Sequence, residues 1–260
     1  MIRLKNEKQL RGIRESCALL ADTLEKLHPK VRPGVSTGEL DLWARDEIER
    51  LGGRPAFLGY HGFPGALCTS VNEEVIHGIP SDRVLRDGDI LSVDCGIEYN
   101  GFYSDSAVTI PVGAISGEIA RLMEVTQEAL RLGINAAVAG NRVGDISRAI
   151  YDHVSQFGYG VVRPYCGHGV GLSLHEDPEV PNYVGRGPNP RLKPGMVIAI
   201  EPMINLGTDD VEVLDDDWTV VTADRSVSAH FEHTVAILAD KTEVLTAPGV
   251  PTVSVTPRLP

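Results

Sequence analysis

Asp94 and Asp105 are the first residues whose types and spacing could do chemistry. They lie in ILSVDCGIEYNGFYSD (Ile90 to Asp105), which reads as a β-hairpin turned by Asn100-Gly101. Both turn residues tolerate φ > 0, as the two-residue loops that match strand twist require. With that loop Tyr99 faces Phe102 and Gly96 faces Asp105. Residue 94 shares the parity of 96, so the two carboxylates lie on one face as diagonal neighbours. Such a pair resists double ionisation unless something cationic sits between the acids. Two solvated aspartates beside a turn are the plain alternative. Further along, Glu201 ends an apolar run, His168 sits in Gly167-His168-Gly169-Val170-Gly171, His175 follows, and Glu232 lies in AHFEHT. Four carboxylates and one imidazole make an oxygen-rich set suited to Mn, Fe, Co or a similar divalent ion. Bridging carboxylates in such a set could hold two ions about 3.5–4 Å apart. Taken singly, His168 reads equally as a turn histidine, Glu201 as a strand end and Glu232 as a surface acid. GHGVG lacks the GxGxxG spacing of a nucleotide loop, and no phosphate lysine follows.

The elements that must position these side chains are legible in outline. Leu10, Ile13, Cys17, Leu20, Ala21, Leu24 and Leu27 recur at helical spacing, predicting an amphipathic helix that ends near His28-Pro29. Ser36 and Glu39 stand at capping-box spacing for a second helix, stopped by Gly52-Gly53. After Ser116 a third helix runs from Ile119 to Ile134, and Asp145 can start a fourth that stops at Gly158. Asp209, Asp210, Asp215, Asp216 and Asp217 read as a solvated acidic hairpin.

The chain also repeats itself. Gly34, Gly38, Asp46 and Gly52 match Gly140, Gly144, Asp152 and Gly158 at an offset of 106, and RDGDILSVD over KPGMVIAIE matches at 107. A period this long predicts two pseudo-symmetric halves, about 5–115 and 116–245, rather than a solenoid. Glu201 then takes the place in the second half that Asp94 takes in the first, and one acid from each faces a shared centre. No low-complexity linker separates the halves, so a single domain spanning 1–260 is expected, with a loosely held Pro-punctuated tail at 248–260.

Composition narrows the function. A net charge of -12 argues against binding phosphate backbones or anionic membranes. Cys17, Cys68, Cys95 and Cys166 show no CxxC spacing, so neither a zinc knuckle nor a disulfide framework is indicated. The amino-terminal stretch has charges throughout and no signal-like apolar core, and no run approaches a membrane span. A cytoplasmic protein is expected.

The segments YHGFPGALCTSVNEEVIHGIP, VDCGIEYNGFYSD, YCGHGVGLSLHEDP, IAIEPM and WTVVTADRSVSAHFEHT together resemble the type I methionine aminopeptidases, from about Lys5 to Leu245. The resemblance implies an α+β pita-bread fold, two pseudo-symmetric halves with a central antiparallel sheet and outer helices. It implies metal ligands at Asp94, Asp105, His168, Glu201 and Glu232 holding two divalent ions (Co, Mn, Fe or similar). The implied reaction removes the N-terminal methionine of nascent proteins, preferring a small second residue, by attack of a metal-bridging water. Glu201 would accept and return its proton, His175 stabilise oxyanion charge and His77 orient the peptide. Tyr60, Cys68 and Trp218 are candidates for lining the methionine pocket, with Phe63, Leu174 and Phe231 beside them. Leu174, Phe57 and Phe63 depart from the residues common in the family there. Nascent N-termini and the ribosome are the implied partners of a monomer, without nucleic-acid sequence readout or a membrane. An X-Pro aminopeptidase or prolidase shares this fold and ligand pattern, although such relatives carry an extra N-terminal domain. A metal-free binding protein of the same fold is a further alternative, for which lost ligands would be expected.

Overall fold

The computed structural model describes residues 1–247, and the predicted loose tail from Pro248 lies outside the described residues. In chain order the elements are α1 (Glu7–Leu27), α2 (Thr37–Arg50), β1 (Arg54–Pro55), β2 (Leu67–Val71), β3 (Glu74–Ile76), β4 (Ile90–Tyr99) and β5 (Phe102–Pro111). There follow α3 (Gly117–Ala136), α4 (Val143–Val154), β6 (Gly160–Val161), β7 (Gly167–Gly169), β8 (Glu176–Val180), β9 (Val197–Ile200) and β10 (Met203–Asn205). The chain finishes with β11 (Val211–Val213), β12 (Val220–Thr222), β13 (Ser228–His230), β14 (His233–Ile237) and β15 (Thr242–Val244).

The β4–β5 hairpin has the predicted register, Tyr99 opposite Phe102 and Gly96 opposite Asp105. Asn100 (φ 52°) and Gly101 (φ 81°) make the turn, both in the left-handed region that their types tolerate. β4 pairs β1 and β2 on its other side, completing one sheet. A five-stranded sheet runs β15-β14-β9-β7-β8, and two three-stranded sheets, β13-β10-β6 and β11-β12-β3, complete the β structure. All pairings are antiparallel.

The expected central sheet is thus divided, and hydroxyls bridge the division. Ser106 Oγ donates to Glu232 O at 2.7 Å and Thr234 Oγ1 to Asp105 O at 2.7 Å. Thr109 Oγ1 donates to His230 O at 2.7 Å while accepting from His230 N at 2.9 Å. One backbone bond, Glu232 N to Ala107 O at 2.9 Å, crosses directly. This seam lays β5 against β13 and β14, although no strand ladder joins them.

The helices cover the outside through apolar faces. α1 and α2 bury Leu20, Leu27, Leu40, Ala44 and Ile48 against β2 and β4; α3 buries Leu122 and Ala129 towards β9, β10 and β13, and α4 packs Ile146 and Ile150 against α3 and lies over β6 and β8. The capping box at Ser36 and Glu39 is present. α4 begins two residues earlier than predicted. Asp145 is not its cap but its third residue, reaching back to accept from Arg142 N at 2.8 Å, while Asn189 takes Gly144 N. The acidic hairpin is not uniformly solvated either: Asp209 pairs with Arg163 and Asp216 accepts from Trp218 N and Thr219 N.

The offset of the sequence repeat recurs in the backbone. Gly34 and Gly140 have φ 90° and 97°, Gly52 and Gly158 84° and 72°, Gly88 and Gly195 95° and 91°. Gly34 N bonds Leu85 O and Gly140 N bonds Leu192 O; Leu85 N bonds Val35 O and Leu192 N bonds Asn141 O. Isolated bridges join Ser36 to Val84 and Arg142 to Arg191. Turn glycines and their hydrogen bonds thus recur at the offset of the sequence repeat.

Candidate metal centre and substrate pocket

Asp94 and Asp105 meet on one face of the hairpin, as the register requires. Glu201 follows β9, and Glu232 lies between β13 and β14 at the seam, so the hydroxyl bridge delivers the second pair of acids to the first. Ligand atoms of Asp94, Asp105 and Glu232 lie within 4.8 Å of one another, and so do those of His168, Glu201 and Glu232. These triplets, with a third of Asp105, His168 and His175, overlap in a donor set that fits divalent metal.

The electrostatics point the same way. Burial, then mutual repulsion, pushes Asp105, Glu201 and Glu232 well above the usual carboxylate range, and burial also raises Asp94. Asp94 Oδ1, Asp105 Oδ1 and Glu232 Oε1 are buried with no hydrogen-bond partner among the described residues. Uncompensated buried acids are costly, and a bound cation is the group that would compensate them. His168 fits the same role. Its Nδ1 lies 2.9 Å from Gly169 O, which can only accept, so Nδ1 carries the proton and Nε2 presents a lone pair. Burial lowers its pKa to about 3, keeping it neutral. Nε2 stands 3.7 Å from Asp105 Oδ2 and 3.6 Å from Glu201 Oε1.

The glycines flanking His168 are explained by close approach. A Cβ on Gly167 would lie 2.3 Å from Ala199 O, and one on Gly169 2.3 Å from Asp177 O. β7 must therefore be side-chain-free on either side of its histidine to fit between β8 and β9.

An apolar pocket adjoins the acids. Cys68 on β2 sits directly opposite Asp94, so both point to one face. Around Cys68 gather Phe57, Phe63 and Leu174, with Tyr60, Tyr103 and Trp218 at the margin. The Trp218 ring meets Phe63 edge-on at 5.1 Å. Together with the acids, Tyr60, Phe63, Cys68 and Trp218 line a cleft of about 720 Å³. Phe231 does not line it. In A-H-F-E-H, residues 230 and 232 face the acids, so 231 points the other way, into the core with Ile200 and Ala229.

His77 and His175 lie at the cleft's polar end, His77 edge-on to Trp218. Burial lowers both, His77 to about 4. Tyr60 Oη lies 2.9 Å from His175 Nδ1; with the phenol donating, the imidazole proton sits on Nε2, free to donate into the cleft. Sequence reasoning missed His230, whose Nε2 is 3.8 Å from Glu201 Oε2. Its parity with Glu232 was the available signal. Tyr165, against His77 at 5.7 Å, gave none.

The profile of metallopeptidase family M24 matches residues 11–239. A methionine aminopeptidase of Treponema pallidum (strain Nichols) is 55% identical over 249 residues, covering 95% of this chain and 97% of that protein. The chain belongs to metallopeptidase family M24, in its methionine aminopeptidase branch. A crystal structure of methionine aminopeptidase from Rickettsia prowazekii superposes at TM-score 0.92 with 39% identity, covering 95% of this chain and all of that one. The pita-bread architecture expected from the sequence is therefore the fold. Prolidase from Pyrococcus furiosus shares that fold at TM-score 0.78, but at 22% identity and with only 66% of its own length matched. Among the described residues no helix is long and apolar enough to cross a membrane.

Proposed function

We propose that this M24 peptidase removes the N-terminal methionine of protein chains at the cleft between the acids and the Cys68 pocket. The observation that carries the reading is the direct pairing of Cys68 with Asp94, which sets an apolar pocket beside the buried acids. Asp94, Asp105, His168, Glu201 and Glu232 would hold two divalent ions; their unpartnered oxygens and the lone pair on His168 fit that group. Bound there, divalent ions would supply Lewis acidity, lowering a water's pKa towards about 7 and polarising a carbonyl.

The chain's own residues do the rest. The methionine side chain enters between Phe63, Cys68, Leu174 and Trp218, burial that stabilises by ~1.5–3 kcal/mol. The free α-amino group turns towards the acids, which restricts cleavage to the first peptide bond. Glu201 takes the proton of the attacking water and returns it to the departing amine. His175, with its proton on Nε2, donates to the scissile carbonyl oxygen as negative charge grows there, and His77 aligns the peptide. A small second residue is preferred, and nascent chains at the ribosome are the substrates in the cell.

Dialysis against chelator followed by assay of Met-Ala-Ser tests the metal, with activity expected to vanish and to return on titration with Co, Mn or Fe. Asp105→Ala should lower turnover by on the order of 10²-fold or more. Full activity in verified metal-free protein, or near-normal rates for Asp105→Ala, would sink the reading.

A further inference from the structure

Lys5 is almost fully buried, although it precedes the first helix. Its Nζ lies 2.8 Å from Glu176 Oε2, and each side chain is 1% exposed. The same oxygen accepts from Arg3 Nε at 3.1 Å, while Arg3 Nη2 donates to Ser173 Oγ at 2.7 Å. The other oxygen, Glu176 Oε1, accepts from Leu172 N at 2.6 Å and Ser173 N at 3.0 Å. Glu176 therefore closes the turn 172–176 from inside, and that turn carries Leu174 to the methionine pocket and His175 to the cleft. Lys5 is anchored in turn, its backbone N donating to Gly195 O at 2.7 Å. At the turn's other end Tyr103 N of β5 donates to Gly171 O at 2.9 Å.

A buried ion pair stabilises little over an apolar substitute, yet removing one partner strands the other. What the pair gives is geometry: one carboxylate fixes two consecutive backbone N–H groups just before His175. We propose that Lys5 is a positioning residue for catalysis, acting through Glu176 to hold the 172–176 turn so that His175 faces the scissile carbonyl. The proposal rests on the role given to His175 above. A catalytic group displaced by an ångström loses rate on the order of 10²-fold, with much less effect on substrate binding.

The test uses the full chain, metal-loaded, with Met-Ala-Ser. Lys5→Met is expected to lower kcat by about 10- to 100-fold with KM changed by less than about twofold and bound metal unchanged. Lys5→Arg, which retains the charge, recovers part of the loss. In a His175→Ala background, Lys5→Met is expected to cost less than about twofold further, because the group it positions is gone. If Lys5→Met does not fold, Glu176→Gln, which keeps an oxygen for the two N–H groups, is read the same way in both backgrounds. Unchanged kcat in the single variants, or an equal fall with and without His175, overturns the role of Lys5 alone. Unchanged kcat in His175→Ala overturns both this proposal and the role assigned to His175.

Discussion

At the scale of single residues, the acids and histidines of the cleft have opposite linkage to pH. Asp94, Asp105, Glu201 and Glu232 have folded pKa values raised by burial, so the folded chain keeps protons that the unfolded chain has released. Their contribution is complete below the unfolded carboxylate range and is lost as pH rises through the raised values. His77 and His168 are lowered by burial to about 4 and about 3, and His230 to about 3. Their contribution is complete above the ordinary histidine value of about 6.5 and is lost as pH falls. Above pH ~6.5, then, the histidines no longer change while the acids still do. Chelated protein is expected to show a Tm that falls between pH 6.5 and 8, and saturating divalent metal should flatten that profile. A flat profile for the chelated protein would contradict the account. Legibility also varied residue by residue. Asp94 and Asp105 could be placed together because a two-residue turn fixes register by counting. Lys5 and Glu176 could not, because 171 positions separate them and nothing local marks either as buried.

Among the elements, β7 is the most constrained, since it carries His168 with a glycine on each side pressed against neighbouring carbonyls. Gly169→Ala places a Cβ within 2.3 Å of Asp177 O, a backbone atom that cannot swing aside. Overpacking of this kind costs roughly 1–3 kcal/mol. Thermal unfolding of Gly169→Ala should show that loss together with reduced turnover, because β8 must shift away from the cleft. Unchanged Tm would mean that the contact relaxes freely. Helices α1 to α4 were legible because amphipathic spacing and turn glycines are local signals. The start of α4 was misjudged because an aspartate at the third helical position looks like a cap in sequence. Strand parity explains the other error. Phe231 neighbours Glu232 in sequence, yet adjacent residues of an extended chain face opposite ways and it packs into the core.

For the molecule as a whole, the repeat was readable but the manner in which its copies join was not. Glycines at offsets of 106 and 107 share positive φ, yet the seam depends on hydroxyls of Ser106, Thr109 and Thr234, residues ordinary in any strand. Because Glu232 N and His230 N are satisfied across that seam, opening it strands buried backbone groups beside the acids. Calorimetry of the metal-loaded protein should therefore give a single transition with equal calorimetric and van't Hoff enthalpies. Two separable transitions would count against the single catalytic domain proposed from the sequence.

The seam also bears on ancestry. Asp94 and Asp105 come from the first half of the sequence and His168, Glu201 and Glu232 from the second, so neither half alone holds both the Asp94 and the His168 triplet. A forebear of half this length could have assembled the triplet of Asp94, Asp105 and Glu232 only where two identical chains met about a twofold axis. Gene fusion would then have freed each side to specialise, one keeping two aspartates and the other exchanging into glutamates and an imidazole.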